Sequence, residues 1–372
     1  YGLIALVQTT RFTGGHDLVS GEVLMNPYIL TLFNRQPRRI RVIENILKNR
    51  RSEANLFWGY NYQILGALGA ERQLKRQDYD QQLAQWVKDG LLKIDDQQAS
   101  LTETGIEQVR TFWDQHYQPH FIQWAWVTSY QIFANRVLLA LQVISQYQHQ
   151  DHQYLPLSLS EYEMNRVRQW VRALKPSDVK LIINCLQEIT EELASVDERL
   201  AILLTYRLIG YQTSGWTNQQ AAQHLAVTID EIPVMWRDLW LKMAATIASQ
   251  SGPLTALTQD LISSSPTSQS AMKTIQTFQS GISIDEVSQR RHLKISTVRE
   301  HILEIAILMP ELISISALIP TSNLAKLKAT YQGSAFNWQF QEDSDEASAF
   351  FEFRLYQIMR CHRENGDYPS TT

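Results

Sequence analysis

The chain is poor in the residues that build small secreted scaffolds and extended sheets. It has only two cysteines, Cys185 and Cys361, in 372 residues. That excludes a disulfide framework and fits a reducing compartment. Neither lies in a C-x-x-C or Cys/His spacing, so no zinc frame is expected. Glycine is scarce, 15 in all, and alternating apolar–polar runs are rare, which argues against an all-β fold. No apolar run reaches the ~18 residues that a membrane span needs. Gly2–Val7 is too short and lacks a basic lead, so no signal peptide is expected. An excess of positive charge is also missing. The net charge of −4 gives no global attraction for nucleic acid, so any such contact must come from local basic patches. Thr13-Gly14-Gly15 reads as a loop, with no phosphate-binding G-x-x-x-x-G-K-[ST] pattern around it. There is no nucleophile elbow, metal frame or obvious pair of catalytic carboxylates. These absences point away from an enzyme and from a cofactor, toward a binding protein.

What is present is helical. The chain is 44% hydrophobic and 19% charged, dominated by Leu, Ile, Ala and Gln. That is the composition of a mainly α protein of two or three domains. The divisions expected are an N-terminal arm (1–30), a winged-helix-like domain (31–115), a central helical domain (116–250), a linker (251–270) and a C-terminal helix-turn-helix domain (271–372). In the second, stripes at Ile40/Ile43/Leu47, Leu56/Tyr60/Ile64 and Tyr79/Leu83/Trp86/Val87 give three helices. The third would be a recognition helix ending at Gly90. Leu91–Ile94 and Ala99–Leu101 flank the polar Asp95–Gln98 as a hairpin wing. The alternative is a plain helical cap with a hairpin.

The strongest charge feature also lies here. Arg35, Arg38, Arg39, Arg41, Lys48, Arg50 and Arg51 stand against the single carboxylate of Glu44, and Arg72, Lys75 and Arg76 follow. Such a cluster suits phosphate neutralisation; an acidic protein surface and a merely solvated helix face are the other readings. Arg38, Arg39, Arg41, Arg50 and Arg51 are the candidate phosphate contacts.

In the central domain Trp124, Trp126, Tyr130, Phe133 and Leu138 read as core rather than as base-stacking aromatics. The pairs His116/His120 and His149/His152 have metal-compatible spacing but no carboxylate or cysteine cluster with them. Gly215–Leu225 reads as a degenerate helix-turn-helix. Its capping box is Thr217/Gln220, and its second helix runs from about Asp230 through Trp240, with Trp236 and Trp240 buried. Few cations lie near its tip, so a structural role is expected. Ser251-Gly-Pro253 and Ser263–Ser268 mark the linker, expected to bury nothing. Glu342–Glu346 is an acidic loop, Phe350–Arg360 a closing helix, and the last residues a disordered tail.

The stretch that organises the chain is Gly281–Ile302. Gly281 ends a helix. Ser283 and Glu286 form an S-x-x-E capping box, Val287 points inward, and His292-Leu293-Lys294 fits a tight turn. In the next helix Val298, Ile302 and Ile305 share a buried face, which leaves Ser296, Thr297, Arg299 and Glu300 outward near the N-terminus. In a DNA-reading helix-turn-helix those positions meet the major groove. The candidate DNA contacts are therefore Lys294, Ser296, Thr297 and Arg299, with a docking or packing module as the alternative.

Thr277-Phe278, Gly281–Glu286, Arg291, Leu293, Ser296-Thr297-Val298 and His301-Ile302 resemble the helicase-associated helix-turn-helix domain. That domain is found at the C-terminus of some RecQ-type helicases and in the Firmicute YpbB family, whose members are usually encoded beside a RecQ-like helicase. Phe350–Ile358 is similar to that family's closing helix, and the layout of the N-terminal half is similar to it as well. One departure is the acidity of Asn337–Ser348. The resemblance implies a cytoplasmic, nucleoid-associated bacterial protein with DNA and a RecQ-type helicase as partners in DNA repair or recombination. A transcription regulator and a pure interaction scaffold are the other functions that fit the residues.

Overall fold

The computed structural model describes residues 26–121, 129–151, 153–263, 265–278, 281–341 and 347–365. The strand or helix expected at Leu3–Val7, the loop at Thr13–Gly15, Trp124 and Trp126, His152, the acidic loop Glu342–Glu346 and the C-terminal tail lie outside the described residues. Among the described residues no helix is long and apolar enough to cross a membrane.

The protein is mainly helical, with one small sheet. It begins with α1 (Pro27–Leu30), β1 (Arg38–Arg39), α2 (Ile40–Leu47), α3 (Glu53–Asn61) and α4 (Arg76–Lys88). The hairpin β2 (Leu92–Asp95) and β3 (Gln98–Leu101) follows, then α5 (Glu103–Gln115). The sheet order is β1-β3-β2, all antiparallel, with Arg38 opposite Ala99 and Asp95 opposite Gln98. Ile40, Ile43 and Leu47 bury beneath it with Tyr79, Leu83 and Trp86, as their helical spacing requires. Val87, expected inward, is 41% exposed, because the core stripe of α4 runs through residues 79, 83 and 86. The second helix stops at Asn61, so Ile64 buries from a turn and not from the helix. At Gly105 a Cβ would stand 2.1 Å from the Leu91 carbonyl oxygen. Only glycine lets α5 approach the hairpin this closely.

The central part is α6 (Tyr130–Gln148), α7 (Glu161–Ala173), α8 (Pro176–Val196), α9 (Glu198–Arg207), α10 (Asn218–Leu225), α11 (Glu231–Ser249) and α12 (Pro253–Thr258). Its apolar core centres on α6 and α11, with Phe133, Val137, Trp240 and Ile247 buried. Trp236 is only partly buried, with the Arg207 guanidinium 4.3 Å from its ring centroid. Arg136 is completely buried and holds two carboxylates, Glu163 (2.5 Å) and Asp260 (2.6 Å). A buried cation needs that compensation.

The serine- and proline-rich stretch 251–270 departs from expectation. Leu254, Leu257 and Leu261 enter the central core, Ser265 and Thr267 are buried and bonded to each other at 2.9 Å, and Arg51 donates to the Pro266 carbonyl. The sequence suggested an open tether because its breakers dominate the local pattern; three leucines at helical spacing carry the packing.

The C-terminal part is α13 (Gln269–Phe278), α14 (Ile284–Arg291), α15 (Ile295–Leu308), α16 (Thr321–Thr330) and α17 (Ala347–Asn365). Its core includes Val287, Val298, Ile302, Ile305, Phe353 and Tyr356. It also takes in Leu56 and Phe57 of α3. The N- and C-terminal parts are therefore packed on each other. Glu53 meets Arg354 at 2.8 Å, Arg51 meets Glu304 at 3.0 Å, and Arg354 lies 3.9 Å over the Phe57 ring. The Tyr60 hydroxyl bonds His362 Nδ1 at 2.9 Å.

Candidate nucleic-acid interface

The helix-turn-helix is formed by α14 and α15 as their residues dictate. Ser283 Oγ accepts from the Glu286 amide at 3.2 Å, and the Glu286 carboxylate accepts from the Ser283 amide at 2.8 Å. The Ser283 amide and, at 3.0 Å, the Ser283 hydroxyl donate to the exposed Glu286 carboxylate and hold its pKa below the ordinary value. His292 ends α14 in the left-handed region (φ 52°). The Leu293 amide donates to the Ser288 carbonyl at 3.0 Å, and Ser288 Oγ donates to the Leu293 carbonyl at 2.6 Å. The turn is thus closed from both sides, and α15 leaves it with Lys294 as N-cap.

On α15, Val298, Ile302 and Ile305 face the core with no exposure. Lys294, Ser296 and Glu300 are exposed and Thr297 is half-buried. Arg299 differs from expectation. It is half-buried, its guanidinium lies 5.6 Å from the Phe351 ring centroid, and its Nε is enclosed without a hydrogen-bond partner. Its position is about 100° from the core stripe around the helix, which turns it toward α17 and not toward the outer face. Arg291 is also committed internally, to the Ser270 carbonyl at 2.7 Å and to Thr274. Burial and the neighbouring Arg291 lower the pKa of His301, whose Nδ1 pairs with Thr274 Oγ1 at 2.8 Å.

The outer face of α15 carries a feature the sequence reading passed over. Ser296, Glu300, Leu303 and Ile307 fall at i, i+4, i+7 and i+11, one stripe opposite the core. The first two are exposed; Leu303 is 4% and Ile307 2% exposed. The helices outside the motif that pack on α15 are α3, α13 and α17. Only the first two turns of α15 are open. The signal was legible: Ile302–Leu308 is apolar all round apart from Glu304, and such a helix segment is covered on every side. Arg290, exposed in the last turn of α14, is a further cation at this end that the sequence reading did not single out.

The arginine cluster near position 40 is largely consumed by the fold. Arg38 is half-buried, donates to the Leu32 carbonyl and to the Tyr62 carbonyl (2.8 Å), and has its pKa lowered by burial. Arg41 holds Asp80 through both nitrogens at 2.7 and 3.2 Å and also reaches Glu44 at 2.9 Å. Glu44 further draws Lys48 (3.5 Å) and Arg76 (3.3 Å). Burial would raise the Glu44 pKa, but Arg41 and Arg76 outweigh it and hold the carboxyl below its usual value. Arg51 is taken by Glu304 and Pro266. Linear proximity hid the fact that partners came from α4 and α15. Arg39, lying 4.4 Å over the Trp58 ring, and Arg50 stay exposed without a carboxylate partner among the described residues. The tip of the β2–β3 hairpin carries Asp95 and Asp96, both exposed.

The degenerate copy repeats the turn geometry. Thr217 and Gln220 form a reciprocal capping box (2.9 and 3.2 Å), and Ala226 ends α10 at φ 54°. Its tip is closed, however. Glu231, the first residue of α11, is 2% exposed and accepts from the Tyr117 amide at 2.7 Å and the Thr228 amide at 2.7 Å, with His116 at 3.1 Å. His116 is thus a carboxylate partner, and His149 stacks on Tyr211.

Helices, turn and exposed tip together define a helix-turn-helix protein, and residues 270–357 match a family model described as a helix-turn-helix domain. The chain is similar to Protein YpbB of Bacillus subtilis (strain 168), with 22% identity over 229 residues. That alignment covers 59% of this chain and 63% of YpbB, less than two thirds of the relative's length. Both findings agree with the resemblance carried by Thr277–Ile302 and Phe350–Ile358. No solved structure matches the chain.

Proposed function

We propose that the protein is a non-catalytic DNA-binding subunit that works with a RecQ-type helicase. The observation that carries the DNA part is the open end of α15, where Lys294 and Ser296 are exposed and Thr297 half-buried, before a stretch of the helix from Ile302 to Ile307 that is enclosed. Residues at the start of a recognition helix are those that meet base edges, and a flanking cation meets phosphate. Arg39 and Arg50 supply further phosphate contacts. Arg38, Arg41 and Arg51 shape the scaffold, and Arg299 steadies α15 against α17. The helicase part rests on the resemblance of Thr277–Ile302 and Phe350–Ile358 to the helicase-associated helix-turn-helix domain.

The test is a binding series of the full chain on duplex, forked and single-stranded DNA, with and without a RecQ-type helicase. The proposal expects duplex or fork affinity and a change in affinity or unwinding when both proteins are present. Independent behaviour of the two proteins sinks the helicase part; absence of duplex affinity at low salt sinks the DNA part. A second reading, protein docking by the same motif, draws on the apolar Leu303 and Ile307, which share a core with Leu56 and Phe57 of α3, and on the acidic tip of the β2–β3 hairpin. That second outcome is helicase binding without DNA binding.

A further inference from the structure

Together α9, the loop that follows it and α10, the first helix of the degenerate motif, build a structure that the closed tip of that motif does not use. Tyr206, Trp216 and His224 form a column of three parallel rings. Tyr206 to Trp216 is 4.3 Å between centroids at 8°, and Trp216 to His224 is 4.6 Å at 7°. The column is built, not incidental. The Trp216 amide donates to the Tyr206 carbonyl at 2.8 Å, which fixes the first two rings in register. Gly215, at φ +72°, lets that loop close; a Cβ there would stand 2.9 Å from the Arg207 carbonyl oxygen. The middle ring is partly buried against the central core, while the end rings are exposed, Tyr206 to 44%. Among the described residues neither end ring is stacked on any further ring. Arg207 lies alongside, its guanidinium 4.3 Å over the Trp236 ring and its Nη1 on Asn218 Oδ1 at 2.7 Å, with no carboxylate partner among the described residues. The surrounding side chains Gln212, Thr213, Ser214, Gln219 and Gln223 are exposed, polar and uncharged.

We propose that this column is a stacking platform for the bases of single-stranded nucleic acid, separate from the duplex-binding tip of α15. Flat rings with open outer faces, held rigid before the ligand arrives, accept any base by π-stacking, because every base has a π-face. The exposed side chains Gln212, Thr213, Ser214, Gln219 and Gln223 carry no negative charge, and Arg207, without a carboxylate partner among the described residues, supplies the local positive charge. Such binding differs from phosphate-driven binding in its shallow salt dependence. It does not rest on the helicase assignment or on duplex reading by α15.

The experiment is fluorescence-anisotropy titration of the full chain with oligo(dT) and with a duplex of equal length, for the natural protein and for Tyr206→Ala, His224→Ala and Tyr206→Phe. The end rings are exposed, so these changes leave the fold intact, which a thermal melt checks. Tyr206→Ala and His224→Ala each weaken oligo(dT) binding by roughly fivefold or more, the loss expected for one base stack. Tyr206→Phe keeps it, and duplex binding stays within about twofold. Gly215→Ala, which pushes the loop off Arg207, gives the same selective loss. No oligo(dT) binding by the natural protein, or equal binding by the two alanine variants, overturns the proposal. Parallel loss of duplex and oligo(dT) binding also overturns it, since that assigns the rings to packing alone.

Discussion

At the scale of single residues, two turn positions and one histidine are the most exposed to test. Ala226 and His292 both end a first helix in the left-handed region, at φ 54° and 52°, where an L side chain costs about 1–2 kcal/mol. Replacing Ala226 by glycine removes that strain at the expense of extra freedom in the unfolded chain, so Ala226→Gly is expected to stabilise by about 0.5–1 kcal/mol. Urea unfolding reads this, and a loss of stability would contradict the turn geometry. His301 titrates in a defined direction. Its pKa is lowered from 6.5 by burial first and by Arg291 second. The folded state therefore favours the neutral ring, and the unfolded state binds the extra proton first. Stability is full above the unfolded pKa and falls as pH drops from there through the depressed folded value. His301→Gln is expected to flatten the urea-midpoint profile where it falls below the unfolded pKa; an unchanged slope would place the titration elsewhere. Single residues were also where sequence reasoning was least able to see. The burial of Val287, Val298 and Ile302 follows from spacing, whereas the fates of Arg41 and Arg51 depend on Asp80 and Glu304, carboxylates distant in sequence.

At the scale of elements, the junction of α3 with α15 and α17 decides how the motif is presented. Arg354 is 8% exposed, and burial lowers its pKa while burial raises that of Glu53, so the pair is costly to separate. Removing one member of a buried pair leaves the other uncompensated, so Arg354→Met is expected to destabilise by about 3–5 kcal/mol. Adding Glu53→Gln to it should recover part of that loss in a double-mutant cycle; additive losses would mean that the two residues act independently. The helices themselves were readable because caps and apolar periods are local. Both capping boxes and both tight turns fall where Ser283/Glu286 and Thr217/Gln220 place them. The covering of Leu303 and Ile307 was present in the sequence as an apolar stretch, but one strong stripe at Val298/Ile302/Ile305 drew attention from the second.

At the scale of the whole molecule, the expected picture of two readers on a flexible tether gives way to one packed body. Residues 251–270 are pinned by Arg136–Asp260, by the three buried leucines and by Arg51. Packing at that range depends on which distant faces meet, and neither composition nor periodicity encodes it. One consequence is that the N-terminal part positions the open end of α15 while few of its own arginines stay free of carboxylate partners among the described residues, Arg39 and Arg50 being two of them, since Arg41 and Arg51 are taken by Asp80 and Glu304. The account's central claim is that duplex DNA is met by the first two turns of α15. Its most direct test is the salt dependence of duplex binding by the full chain and by Lys294→Ala and Ser296→Ala. Lys294→Ala is expected to reduce the slope of log K against log salt by about 0.9, the share of one phosphate, and Ser296→Ala to weaken binding with the slope unchanged. Slopes and affinities identical to those of the natural protein in both variants would contradict it.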